Sequence, residues 1–223
     1  MIFAAGFIAL LPACEKSDET IAAHIDLFNG KDLSGWNGDK KWWSVEEGMI
    51  VGRNQEEVPS STYLFTEKKY REFRLLLEVK QTVGKGYSTM HSAVCVLGEQ
   101  FSDAGENDHG FKGPLVMFCH DWGIWDAYRR NRIVPPGHKG NFRPGSEVIG
   151  EWNEVEVLVV GNRIRCVANG EMVFDFTDEA ANLQESPIGL QLHKNKQPQE
   201  FRFRNIRIEE KPGDVLRTLK IEG

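Results

Sequence analysis

The chain lacks several features that would decide its class at once. Its 223 residues include only four cysteines, and none forms a CxxC pair, which excludes disulfide-rich scaffolds and the common zinc motifs. Lys and Arg total 27 against 33 Asp and Glu, so the net charge of −6 leaves no basic surplus to neutralise nucleic-acid phosphates. We therefore expect no nucleic-acid partner and no zinc-finger or redox-disulfide chemistry.

The N-terminal apolar run, Ile2 to Ala13, is too short for a membrane-spanning helix and suits a signal peptide. It ends in "LPAC", which resembles the lipobox of bacterial lipoproteins, whose cysteine carries the lipid. We expect residues 1–14 to be a lipoprotein-type signal peptide with Cys14 lipidated, and residues 15–24 to be a flexible tether. The predicted location is the bacterial cell envelope, at the periplasmic or outer-membrane face, with membrane contact through the lipid anchor only.

Residues 25–210 alternate between apolar and polar side chains in short runs, with no convincing helix. In "YREFRLLLEVKQ", alternate residues from Phe73 to Val79 share one apolar face, as in a half-buried strand. The dipeptides "GN" and "NG" at residues 161–162 and 169–170 predict tight hairpin turns. In "EFRFRNIRIEE" the alternation slips at Asn205, which predicts a bulge. This pattern predicts one all-β domain, an antiparallel sandwich or barrel, followed by a C-terminal tail over residues 211–223.

The three cysteines other than Cys14 lie in strand-like runs. Cys95, Cys119 and Cys166 are an odd number, so they cannot all pair within one chain. We expect them to be small buried hydrophobic residues.

One stretch, "FCHDWGIWDAYRRNR" at residues 118–132, concentrates aromatic and charged side chains. Strand parity through it places His120 and Trp122 on one face of a first strand, with a bend at Gly123. In the following strand, parity groups four polar residues, which are Asp126, Tyr128, Arg130 and Arg132. A C-terminal strand, "IGLQLH", adds Gln191 and His193 opposite its apolar face, and an earlier strand adds Glu78.

This mixture of side chains suits a sugar, because aromatic rings stack on pyranose C–H faces while Arg, Asp and Gln satisfy hydroxyl groups. A plain solvated sheet face is the competing interpretation of the same residues. Composition and parity alone do not choose between them.

Three blocks in order add a resemblance: "LFNGKDLSGW", "GEWNEVEVLVVGNRIRCVANG" and "GLQLHKNKQPQEFRFRNIRI". Together they resemble the 3-keto-disaccharide hydrolase family over about residues 25–210. The resemblance implies a concanavalin-like jelly roll of two antiparallel sheets with its site on the concave face. Many members carry "NSGI" in a middle strand, where this chain has "HSAV", with His91 in place of the Asn.

The resemblance further implies a carbohydrate substrate that an upstream sugar 3-dehydrogenase has oxidised at C3. The ketone acidifies the proton on C2, so a base can start a β-elimination that water then completes. On this hypothesis His193 or His120 is the base and Asp126 orients a histidine or acts as acid–base. Arg130, with Tyr128, polarises the ketone or binds hydroxyl groups.

The remaining candidates hold the substrate: Gln191 and Glu78 position the ring, and Trp122 and Arg132 add contacts. A divalent metal held by histidine and carboxylate groups is the alternative electrophile, although no compact ligand motif demands one. Direct hydrolysis by two carboxylates is the rival route. A non-catalytic, lectin-like carbohydrate-binding module is the alternative function, because the fold hosts both classes.

Overall fold

Two antiparallel sheets and one separate hairpin make up the protein in a computed structural model that describes residues 24–84, 91–102, 108–118, 123–126, 131–133, 148–179 and 183–220. No helix occurs among these residues, and thus none long and apolar enough to cross a membrane. The all-β prediction is confirmed. The predicted signal peptide, Cys14 and most of the predicted tether lie outside the described residues.

The larger sheet has eight strands and includes both ends of the described chain. In spatial order its strands are β15 (Glu171–Thr177), β14 (Arg163–Ala168), β13 (Asn153–Val160), β6 (Phe73–Gly84), β17 (Gln199–Glu210), β4 (Met49–Asn54) and β3 (Trp43–Glu46), with β1 (Ile25–Asp26) against β17. The predicted turns join β13 to β14 and β14 to β15. Asn169 and Gly170 both adopt positive φ, at 52° and 89°, as a two-residue type I′ hairpin turn requires.

The smaller sheet has seven strands, and the two at one edge, residues 124–126 and 131–133, are the described strands nearest the "FCHDWGIWDAYRRNR" stretch in sequence. In spatial order its strands are β12 (Asn131–Ile133), β11 (Ile124–Asp126), β10 (Leu115–Met117), β7 (Ala93–Cys95), β16 (Ser186–Leu192), β5 (Thr62–Tyr70) and β2 (Trp36–Asn37). The separate hairpin consists of β8 (Glu99–Phe101) and β9 (Gly110–Lys112).

The core lies between the two sheets, and strand alternation fills it from both sides. Phe73, Leu75, Leu77 and Val79 of β6 are at most 1% exposed and belong to the same cluster as the inward residues of β16. Burial of each such side chain contributes roughly 1.5–3 kcal/mol. The predicted bulge in β17 is confirmed, because its register against β6 shifts between Arg204 and Arg207, and Asn205 has φ 52°.

The outer face of the larger sheet departs from simple alternation, because it buries charged side chains. Arg74 of β6 is 1% exposed, and its guanidinium contacts the carboxylates of Glu156 and of Glu209, the latter at 2.9 Å. The segment after β17 covers these residues. Val215 O accepts from Arg74 Nη1 at 2.7 Å, while Glu156 accepts from the backbone N–H of Thr218 at 2.8 Å. Residues that parity alone assigns to solvent are therefore buried beneath the C-terminal segment.

Glu156→Ala is expected to lower the free energy of unfolding by on the order of 3 kcal/mol. The change leaves the buried Arg74 guanidinium short of a partner and releases the donors of the C-terminal segment. Urea denaturation measures the loss. Glu154→Ala, an exposed neighbour on the same strand, is the matched control and is expected to stay within about 0.5 kcal/mol of the wild type. Equal stability of the two variants would contradict the role assigned to Glu156.

Candidate functional site

A cavity of about 440 Å³ lies on the outer face of the smaller sheet, the face turned away from the core. Strands β5, β16, β10 and β11 form its floor, and the β8–β9 hairpin forms a wall. Its lining comprises Ser60, Ser61, Tyr63, His91, Phe101, Gly110, Phe111, Gly113, Leu115, Met117, Trp125, Gln191, His193 and Lys194. The volume falls within the range of about 300–1,000 Å³ for small-molecule sites.

Aromatic rings line much of the cavity and its base. Tyr63 stacks on Phe65 with ring centroids 5.6 Å apart, and Phe111 of the hairpin lies 5.9 Å from Tyr63 and 6.1 Å from Phe65. Gly189 of β16 makes room for this cluster, since a Cβ there would lie 2.3 Å from Cys95 Sγ and 2.8 Å from the Phe65 ring. The absence of one side chain thus lets the hairpin and the sheet share an aromatic surface.

Two imidazole rings meet inside this cavity. The ring centroids of His91 and His193 are 4.1 Å apart, in an edge-to-face arrangement at 63°. Burial, together with the neighbouring His91, lowers the pKa of His193 to about 4, and burial also lowers the pKa of His91. His193 Nδ1 is buried and has no hydrogen-bond partner among the described residues, so the half-buried ring meets the cavity through its other atoms.

Neighbouring side chains hold His193 and Gln191 in place. Gln191 Nε2 donates to the Tyr63 hydroxyl at 3.1 Å, while its Oε1 is buried and has no hydrogen-bond partner among the described residues. Ser92 Oγ donates to the Gln191 carbonyl at 2.8 Å, and Gln199 Nε2 from the other sheet donates to the His193 carbonyl at 2.5 Å. The site is therefore tied to both sheets through the backbone of β16 and the residue after it.

The structure brings together only some of the residues predicted from the sequence. Gln191 and His193 line the cavity, but Asp126 does not: it is fully buried and shares the core-facing parity of Ile124. Trp125, which pairs with Leu115, takes the cavity-facing position instead. Alternation separates Trp125 from Asp126, as predicted, but alternation alone does not tell which of the two faces meets the core.

Glu78 also lies apart from the cavity, because its strand β6 belongs to the larger sheet. Its carboxylate lies 2.6 Å from Arg204 and also accepts from the Asn205 amide. The structure therefore does not bring Glu78 together with Gln191.

Several candidates lie outside the described residues: His120, Trp122, Tyr128 and Arg130. Arg132 is described only as the β12 backbone position that pairs with Trp125. Cys95 and Cys166 are buried free thiols, as expected, whereas Cys119 lies outside the described residues.

Sequence reasoning missed His91, Tyr63, Phe111 and Trp125 as parts of the site. His91 carried a signal, since it occupies the position of the Asn in the family's "NSGI" block. The aromatic residues carried none beyond strand alternation. In the described part of the chain, no group of three or more His, Cys, Asp or Glu residues has the geometry to hold a metal ion.

Comparison with known proteins identifies the family. The model of the 3-keto-α-glucoside-1,2-lyase-like domain matches residues 23–209. The chain belongs to this family. The 3-keto-disaccharide hydrolase resemblance of the three sequence blocks is therefore confirmed, and with it a carbohydrate-related function. No curated protein matches the chain.

Solved structures similar to this 3-keto-α-glucoside-1,2-lyase-like domain agree on the fold. One candidate glycosyl hydrolase from Parabacteroides distasonis is 22% identical, with a TM-score of 0.53 over 84% of this chain and 93% of its own. A second from the same organism is 20% identical, with a TM-score of 0.54 over 84% of this chain and 99% of its own. A non-specific endo-β-1,3(4)-glucanase is 12% identical, with a TM-score of 0.51 over 85% of this chain and 90% of its own. The domain is a concanavalin-like jelly roll.

The lowered pKa of His193 predicts a pH-dependent stability. Between the ordinary histidine pKa of 6.5 and the folded value of about 4, the unfolded chain binds a proton at His193 that the folded chain does not. The contribution of neutral His193 to the free energy of unfolding is therefore complete above pH 6.5. It is lost as the pH falls toward 4, by up to about 3 kcal/mol. Urea denaturation at a series of pH values is expected to show the free energy of unfolding of His193→Gln rising relative to that of the wild type as the pH falls through this range. An NMR titration that places the His193 midpoint near 6.5 would contradict this.

Proposed function

We propose that this protein cleaves glycosidic bonds of sugars that carry a ketone at C3, by proton abstraction from C2 followed by β-elimination and hydration. The observation that carries the proposal is the pair of imidazoles, His91 and His193, in an aromatic-lined cavity of a chain that belongs to this family. Aromatic rings suit the C–H faces of a pyranose, while a buried, neutral imidazole suits proton abstraction.

His193 is the proposed base. Because its pKa is about 4, the ring is unprotonated at neutral pH, and the ring lines the cavity. The C3 ketone makes the C2 proton acidic, and removal of that proton gives an enolate whose negative charge favours the imidazolium that forms beside it. Burial makes His193 a weak base in the free protein, and the negative charge of the bound enolate offsets this effect by stabilising the imidazolium.

Elimination then breaks the bond between C1 and the leaving oxygen while the C1–C2 double bond forms. The proton held by His193 and its neighbour His91 passes to the leaving oxygen, so the histidine pair ends neutral. Water adds across the double bond, with its hydroxyl on C1 and its proton on C2, and yields the free 3-keto sugar. Gln191 and the aromatic rings that line the cavity position the sugar.

Other predicted roles stay predictions. The ketone oxygen needs an electrophile, for which Arg130 with Tyr128, or a divalent metal, are the candidates from the sequence; His120, Trp122 and Arg132 complete that set. An upstream oxidation at C3 of the sugar must supply the substrate, because the route depends on the ketone.

Replacement of His193 tests the catalytic proposal. His193→Gln is expected to lower turnover of a 3-keto disaccharide by about 100-fold or more, as loss of a general base does. His24→Gln, a histidine beside Glu209 outside the cavity, is the matched control and is expected to keep full activity. Proton NMR in D₂O follows both exchange of the C2 proton and release of the 3-keto sugar. Undiminished turnover in His193→Gln would remove His193 from the mechanism.

A non-catalytic carbohydrate-binding module is the second candidate, because the aromatic lining of the cavity serves binding alone equally well. The same NMR experiment separates the two. Binding without C2 exchange or cleavage would favour the binding module, since a lectin has no need to move the C2 proton.

We further propose that the domain acts at the cell envelope, tethered by lipid on Cys14. The support is the "LPAC" block after a short apolar run. Mass spectrometry of the protein from a bacterial membrane fraction is expected to find Cys14 as the lipidated N-terminus. An unmodified Cys14 would end this proposal.

A further inference from the structure

Two more depressions adjoin the cavity on the side of the loop between β2 and β3. The first has a volume of about 580 Å³ and the second of about 530 Å³. We call the two together the outer groove. Its principal lining residues are Lys40, Lys41, Trp42, Asp108, His109 and Gln55.

The outer groove continues from the cavity without a break in the lining. Ser60 lines both the cavity and the first depression, and residues on either side of it, Pro59 and Ser61, line one each. A second segment also connects the cavity to the first depression, because His109 lines the depression and the next residue, Gly110, lines the cavity. The two depressions are also continuous with each other, because both are lined by Lys40, Lys41 and Trp42.

The charges of the outer groove are balanced. Lys41 Nζ lies 2.7 Å from Glu56, and Arg53 lies 2.7 Å from Glu46 and 2.5 Å from Glu200. In the first depression, Lys40 is accompanied by the carboxylates of Asp39 and Asp108. A groove with hydrogen-bonding groups but no excess of either charge suits a neutral, hydroxyl-rich ligand better than an anionic one.

We propose that the outer groove binds the sugar units beyond the one held in the cavity, so that the ligand is an oligosaccharide longer than a disaccharide. This inference rests on the proposed function for the identity of the reacting unit. With that unit beside His91 and His193, the next lies in the first depression, past Ser60. The second depression, beyond Lys40 and Trp42, takes a third unit, which meets the half-buried Trp42 indole and the Lys41 ammonium that lies 4.4 Å from the centre of that ring.

Titration calorimetry with unoxidised sugars tests the groove independently of catalysis. The probes are three pairs of glucose oligomers, which are maltose and maltotriose, cellobiose and cellotriose, and laminaribiose and laminaritriose. For at least one linkage, the wild-type protein is expected to bind the trisaccharide about tenfold more tightly than the disaccharide, the size of one or two added hydrogen bonds.

Two variants locate that gain. Gln55 lines only the second depression, so Gln55→Ala is expected to weaken trisaccharide binding several-fold and leave disaccharide binding unchanged. Lys40 lines both depressions, so Lys40→Ala is expected to weaken both ligands. Lys69→Ala, an exposed lysine on β5 away from the groove lining, is the matched control and is expected to bind both as the wild type does.

Three results would overturn the inference: equal affinity within all three pairs, an unchanged gain in Gln55→Ala, or no detectable binding of any probe. Failure of the proposed function is a separate result, because it appears as a lack of C2 exchange and cleavage of a 3-keto disaccharide. A protein that binds trisaccharides through Gln55 yet cleaves nothing would retain the groove and lose the enzyme.

Discussion

The alternation of side chains along β16 is the constraint on which both the core and the candidate site depend. Ile188, Leu190 and Leu192 enter the core between the sheets, while Gly189, Gln191 and His193 face the cavity. A shift of one residue in register would exchange the two sets and place polar groups in the core. Since β16 is also central in its sheet, hydrogen-bonded to β5 on one side and β7 on the other, its register is held from both edges. The core packing that fixes the register of β16 therefore also fixes the position of the His193 imidazole.

Burial then gives the site its chemistry. His193 sits among rings and apolar side chains, where a charged imidazolium loses solvation, and its edge-to-face neighbour His91 adds a second penalty on charging. Gln191 and His193 bring polar groups to a cavity that aromatic rings line. A ligand with hydroxyl groups and apolar faces fits that mixture, and a sugar has both.

Much of the fold could be predicted because alternation is a local signal. The inward residues of β6, the turn at Asn169 and Gly170, and the bulge at Asn205 all follow from short stretches of sequence.

The site could be predicted only where a single strand carried it, as with Gln191 and His193. Parity separated Asp126 from Trp125, but it could not tell which of the two faces meets the core. Nor could alternation reveal that Glu78 lies on a strand of the other sheet. The burial of Arg74 depends on contacts with residues about 140 positions away, which no local pattern reports.

The histidine pair is the feature of the site on which the proposed chemistry depends. An Asn at position 91 would offer a neutral amide with no acid–base function, whereas His91 adds a second titratable ring in contact with the first. Two imidazoles at this distance cannot readily both be charged, because the first positive charge raises the free-energy cost of the second. In the proposed elimination a proton leaves C2 while the oxygen leaves C1, and a pair of rings that shares one proton suits both steps. A lectin would need no such pair, and this is the argument for proposing an enzyme ahead of a binding module.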